Sequence, residues 1–247
     1  MCLTTCPYAG AVALAILVRH GRTAANTDGV LAGRTPGIHL DDAGRAQAVA
    51  LGQRLAGLPL ARVVSSPLER TLETAQAIAR AQEQSPRPRV RRDKNLIECG
   101  YGEWTGRRLK DLAKQKLWRT VQQHPSAVLF PGGESMVEMQ TRALAAVRRW
   151  NAEVEAEAGS SGIWVAVSHG DVIKAIVADA LGLHLDQFQR IVIGPGAVCV
   201  VEYTAHRPFV LHVNDTGSDL AALRNGTRPA KGRRRRGSSD AAVGGGS

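Results

Sequence analysis

An eight-residue apolar run, AVALAILV at positions 11–18, is cut off by Arg19-His20-Gly21. Polar and apolar side chains do not alternate along it. Both faces of the stretch must therefore be buried, as in a strand of a parallel sheet covered by helices. The same arrangement recurs: ARVVSS (61–66) leads into the helix-periodic SPLERTLETAQAIARAQ (66–82), and GIWVAVS (162–168) leads through His169-Gly170 into DVIKAIVADALG (171–182). Between the first two strands, DDAGRAQAVALGQRLAGL (41–58) has helical spacing with Asp41 placed to cap it. Ser66, Pro67 and Glu69 read as N-cap, first and third positions of the next helix, and Gly182 as a helix stop.

A short third strand is expected within PRPRVRRDKNLIE, and a polar, irregular helical region over 107–158 is interrupted by HPSAVLFPGGES. Two closing strands are expected at 196–203 and 208–213. Strands alternating with helices predict an α/β fold: a three-layer sandwich with a mostly parallel central sheet and helices on both faces. No internal repeat interrupts the pattern.

The chain has 247 residues, 44% of them apolar and 22% charged, enough to bury a sizeable core. Lys and Arg number 32 against 22 acidic residues, a net charge of +10. Half of that excess sits in the last twenty residues, where Arg228, Lys231 and Arg233 to Arg236 face only Asp240. The rest is a modest surplus that suits an anionic ligand and does not require nucleic acid. Cys2, Cys6, Cys99 and Cys199 have no metal-type or redox spacing; a Cys2–Cys6 disulfide is conceivable, but reduced thiols are the better reading. YAGAVALAILV lacks a preceding Lys or Arg and a small-residue cleavage site, and no other apolar run nears the ~20 residues of a membrane span. A cytoplasmic protein without membrane attachment is expected.

Chemistry collects where the strands end. In an open parallel sheet ligands bind outside the carboxyl ends of the strands. Arg19-His20, Ser65-Ser66 with Arg70 soon after, and Ser168-His169 should therefore converge on one edge. Glycines after each histidine, Gly21 and Gly170, let the backbone turn sharply and a ligand approach closely. Arginine forks match phosphate oxygens, and helix N-termini near Pro67 and Asp171 add positive potential. Nearby cations also favour a neutral imidazole, which can attack phosphorus. No HExxH or Cys/His cluster points to a metal, and no cofactor is expected.

LVRHGRTAAN, SSPLERTLETA, ECGYGEWTG, PGGES and VSHGD occur in that order. Together they make the chain resemble the histidine phosphatase superfamily, the phosphoglycerate mutase-like group, over roughly residues 12–215. The resemblance implies that His20 is the nucleophile that becomes phosphohistidine. Arg19, Arg70 and His169 would bind the phosphoryl group, with Thr23, Asn26 and Gly170 contributing to substrate binding. Glu98 would donate the proton to the leaving group; Glu103 lies close by, but spacing to Gly102 and Gly106 favours Glu98. Thr23 is equally readable as loop support. Arg34 and Ser135 are within plausible reach of substrate or merely structural, and Glu134 is a candidate helix cap. The remaining histidines and the four tryptophans read as surface or packing residues.

Phosphatase is favoured over the superfamily's other activity, the 2,3-bisphosphoglycerate-dependent mutase. The segment from Glu98 to PGGES is short and lacks the mutases' proline-rich, basic insertion, and Ala25 stands where mutases usually have tryptophan. The expected division is an extension at 1–10, a histidine phosphatase domain at 11–220 and a basic, disordered tail at 221–247. The expected partner is a small phosphorylated substrate, and the family suggests a homodimer. Nucleic-acid or partner binding through the basic tail is the alternative of another class. An acidic pH optimum is expected, since Glu98 must be protonated while His20 stays neutral.

Overall fold

The structure, a computed structural model, describes residues 13–159 and 162–217. The expected N-terminal extension, the Cys2–Cys6 pair and the basic tail lie outside the described residues.

Six strands form one sheet: β1 (Ala13–Arg19), β2 (Leu60–Ser65), β3 (Val90–Arg92), β4 (Gly162–Ser168), β5 (Val198–Tyr203) and β6 (Pro208–Asp215). Their order is β3-β2-β4-β1-β5-β6. The first four run parallel, whereas β5 and β6 are antiparallel to their neighbours. The helices are α1 (Ala24–Thr27), α2 (Asp42–Leu55), α3 (Glu69–Ala81), α4 (Leu109–Leu112), α5 (Lys116–Gln123), α6 (Met136–Ala158) and α7 (Gly170–Ala180).

Two separate cores explain why β1 and β4 are apolar on both faces. Ile16, Val18, Val63, Val165 and Val167 pack on one face against Leu51 and Leu55 of α2 and Ala75 and Ile78 of α3. Ala15, Leu17, Val64, Trp164 and Ala166 pack on the other against α6 and α7, through residues such as Val147, Val154, Ile173 and Ile176. The result is the three-layer sandwich. Trp164 is wholly buried and its indole N–H donates to Asn151 Oδ1 at 2.7 Å, while Trp104 stacks on Trp118.

Asp41 caps α2 by accepting the Gly44 N–H at 2.7 Å. The start of α3 differs from expectation. It begins at Glu69, after Leu68, with no side-chain cap. Ser66 is drawn away because its hydroxyl is engaged by His169, so the strand-to-helix corner serves the sheet edge instead of the helix end. Glu134 does not cap α6; Ser135 does, in a reciprocal box with Glu138. Gly182 takes a positive φ of 69° just beyond α7, the usual geometry of a helix stop.

The loop after β1 rests directly on α2. A Cβ on Gly44 would stand 2.0 Å from the Arg22 carbonyl oxygen, and one on Gly21 would stand 2.5 Å from the Gly44 carbonyl oxygen. Backbone meets backbone there, so neither side can yield cheaply. Gly44→Ala is expected to cost about 1–3 kcal/mol as an overpacking substitution, read as a lower denaturant midpoint at unchanged m-value. An unchanged midpoint would show that the loop tolerates displacement.

Candidate active site

His20 and His169 leave the carboxyl ends of adjacent strands, since Arg19 of β1 is in register with Ser168 of β4. The His20 N–H donates to the Ser168 carbonyl at 3.1 Å, and the two imidazole centroids lie 5.3 Å apart. His20 Nδ1 is 2.8 Å from the Gly21 carbonyl oxygen. A carbonyl can only accept, so the proton sits on Nδ1 and the lone pair on Nε2. Arg70 agrees with that assignment, because its Nε donates to His20 Nε2 at 3.3 Å. The nitrogen able to attack is thereby aimed at a guanidinium.

Arg70, in the first turn of α3, is buried. Its Nη2 donates to the Gly33 carbonyl at 2.7 Å and lies 3.3 Å from His169 Nδ1. Its Nη1 is buried without a hydrogen-bond partner among the described residues, a donor suited to an entering anion. With Nδ1 accepting, His169 carries its proton on Nε2 and gives it to Ser66 Oγ at 2.7 Å. Arg19 is buried and its Nη1 donates to the Ile193 carbonyl at 2.6 Å. Thr74 ties α3 to this corner by accepting the Gly21 N–H at 3.1 Å and donating to the Arg70 carbonyl at 2.8 Å.

Burial, then the charges of Arg70 and Arg19, push His20 well below the ordinary histidine range. His169 is pushed down by burial, then by Arg70, His20 and Arg19. Both rings are therefore neutral at neutral pH. Burial lowers Arg19 to about 10, which leaves it charged.

Glu98 reaches the cluster from the loop that precedes Gly100, with Oε2 at 4.0 Å from His169 Nδ1 and Oε1 accepting the Cys99 N–H at 2.9 Å. Burial and the neighbouring Asp171 carboxylate raise it to about 7, against the Cys99 N–H, Arg70 and Arg19. Raised to about 7, the carboxyl is available in its protonated form near neutrality, a state from which a carboxylic acid can give up a proton. Asp171 is itself buried, accepting the Tyr101 hydroxyl at 2.7 Å and lying 3.6 Å from Lys174 Nζ.

His20, Arg70 and Glu98 border a small cleft whose lining also includes Val30, Leu31 and Leu109. Thr23 and Asn26 line it too. Thr23 spends its hydroxyl and its N–H on Asn26 Oδ1, at 2.9 and 3.0 Å, and serves as the cap of α1. That leaves the amide NH2 of Asn26 as the end able to donate to a ligand. Gly170 opens α7 directly after His169, so the helix N-terminus faces the same edge.

Glu103 is exposed and lies outside the cluster, and Ser135 is occupied as a helix cap. Sequence reasoning placed Ser66 at the sheet edge but missed its bond to His169, and it missed Tyr101 and Asp171 as neighbours of the site, because these partners lie about 70 to 100 residues apart. Cys99 and Cys199 are buried free thiols. Among the described residues no His, Cys, Asp or Glu cluster could hold a metal, and no helix is long and apolar enough to cross a membrane.

The family model of the histidine phosphatase superfamily (branch 1) matches residues 15–216. The chain belongs to that superfamily. This histidine phosphatase is 30% identical to phosphoserine phosphatase 1 of Hydrogenobacter thermophilus over 211 residues, 81% of this chain and 92% of the relative. It is 32% identical to a glucosyl-3-phosphoglycerate phosphatase of Mycolicibacterium vanbaalenii, covering 77% and 84% of the two chains. A 2,3-bisphosphoglycerate-dependent phosphoglycerate mutase of Gloeobacter violaceus is also 32% identical, covering 80% and 89%. Among solved structures, Bacillus stearothermophilus YhfR superposes with a TM-score of 0.72 at 26% identity, covering 82% of this chain and 97% of that one.

Proposed function

We propose that this histidine phosphatase hydrolyses small phosphate monoesters through a phosphohistidine on His20, with Glu98 as proton donor and Arg19, Arg70 and His169 holding the phosphoryl group. The observation that carries the reading is the hydrogen bond from His20 Nδ1 to the Gly21 carbonyl, which leaves the Nε2 lone pair facing Arg70. In the first step Nε2 attacks phosphorus, the bond to the ester oxygen breaks, and that oxygen takes the Glu98 proton. In the second, Glu98, now a carboxylate, takes a proton from water as the water oxygen attacks phosphorus. The P–N bond breaks, and neutral His20, protonated Glu98 and inorganic phosphate result. Phosphoryl transfer needs positioning and charge stabilisation above all, and two buried guanidiniums supply them at the cluster. Asn26 and the Gly170 end of α7 are further phosphoryl contacts in this reading.

The test is phosphate release from p-nitrophenyl phosphate and from 3-phosphoglycerate, with a chelator present and 2,3-bisphosphoglycerate added in parallel. Release that persists undiminished in chelator is expected. Interconversion of 3- and 2-phosphoglycerate without release would identify a mutase instead.

A further inference from the structure

Glu98 is held through its backbone as firmly as through its carboxyl. Its carbonyl oxygen accepts two guanidinium donors, Arg34 Nε at 2.8 Å and Arg142 Nη2 at 3.1 Å. Arg34 comes from the loop between α1 and α2, Arg142 from the second turn of α6. Both guanidiniums meet on one carboxylate. Glu134 Oε1 takes Arg34 Nη2 at 2.7 Å and Arg142 Nη2 at 2.6 Å, while Oε2 takes Arg142 Nε at 3.1 Å.

Glu134 also grips the next part of the same loop. Its Oε1 accepts the Gly100 N–H at 2.8 Å, and its own N–H donates to the Gly100 carbonyl at 2.8 Å. Arg142 Nη1 extends the grip upstream to the Asn95 carbonyl at 2.8 Å. The backbone on either side of Glu98 is thus fixed to one carboxylate and two planar forks. Burial would raise the Glu134 carboxyl, but the Arg142 fork, the Gly100 N–H and Arg34 outweigh it and keep it below the usual carboxylate range. It is the charged form that grips.

Such precision has little purpose in a merely structural ion pair, since a partly buried pair adds little net stability. It matters for a general acid, which must lie within hydrogen-bond reach of the oxygen it protonates. We propose that Glu134, acting through Arg34 and Arg142, is a positioning residue for the acid: it fixes the peptide that carries Glu98 and does not touch the substrate. The inference rests on reading Glu98 as the proton donor. PGGES then supplies an anchor for a loop more than thirty residues earlier in the chain.

The test compares leaving groups. Glu134→Gln and Arg34→Ala are assayed on p-nitrophenyl phosphate, whose phenolate leaves with little help, and on glycerol 1-phosphate, whose alkoxide needs a proton. The readout is kcat/KM, which reports steps through formation of the phosphohistidine. For the alkyl ester a loss of about 10²-fold is expected, the scale of an ångström-sized misplacement, with a loss of only a few-fold for the nitrophenyl ester. Glu98→Gln, run alongside, should show the same skew, larger. Equal losses on both esters in the Glu134 and Arg34 variants, with Glu98→Gln still skewed, would overturn the positioning role and leave the acid assignment standing. No skew in Glu98→Gln would overturn both. Arg34, with a side chain 39% exposed, keeps the test readable if Glu134→Gln does not fold.

Discussion

His20→Ala is expected to lower kcat/KM for p-nitrophenyl phosphate by about 10⁴-fold or more, the scale seen when a covalent nucleophile is removed. The imidazole is buried, oriented by the Gly21 carbonyl, and kept unprotonated by burial and two arginines, and the methyl group left in the variant offers no lone pair to replace it. Arg19, Arg70 and His169 remain in the variant, and inorganic phosphate should still bind within a few-fold of wild-type affinity. That pairing separates lost chemistry from lost structure. Activity within tenfold of wild type would remove His20 from the mechanism.

Glu98→Gln comes next in size, with an expected loss of about 10²–10⁴-fold for an alkyl phosphate. Its pH signature is more telling than its magnitude. Glu98 is raised to about 7, so the protonated, active form dominates below that pH and is lost as pH rises through it. His20 is lowered well below the ordinary histidine value, so the nucleophile stays neutral on the acid side. Wild-type kcat/KM should therefore fall above about pH 7, approaching tenfold per pH unit, and Glu98→Gln should erase that alkaline limb. A wild-type rate rising steadily from acid to alkaline pH would rule out Glu98 as the acid.

The parts of the fold that a sequence reveals are those set by local pattern. The uninterrupted apolar run ending at Arg19 announced a strand buried on both faces, the runs ending at Ser65 and Ser168 announced two more strands, and these three form the centre of the sheet. His20, Arg70 and His169 could be read because each sits at a fixed offset from such an end. Glu98 was legible only through a resemblance, since it lies on an irregular loop with no periodicity to place it.

Ser66 shows where local reasoning fails. Ser-Pro-x-Glu is a fair helix start, yet a buried imidazole 103 residues away outcompeted the helix for the hydroxyl. Glu134 failed in the same way: a carboxylate just before a helix suggests a cap, but Arg34, a hundred residues away, and Arg142, two turns into that helix, claim it. Pairings of that kind depend on tertiary geometry, and spacing along the chain does not encode them.

The most direct measurement is rapid acid-free quenching of the enzyme during turnover of 32P-labelled substrate, followed by mapping of the labelled peptide. The mechanism requires label on His20, stable to alkali and lost in acid, and absent from His20→Ala. Label on another residue, or turnover of the wild type with no labelled enzyme at any time while His20→Ala remains active, would contradict it.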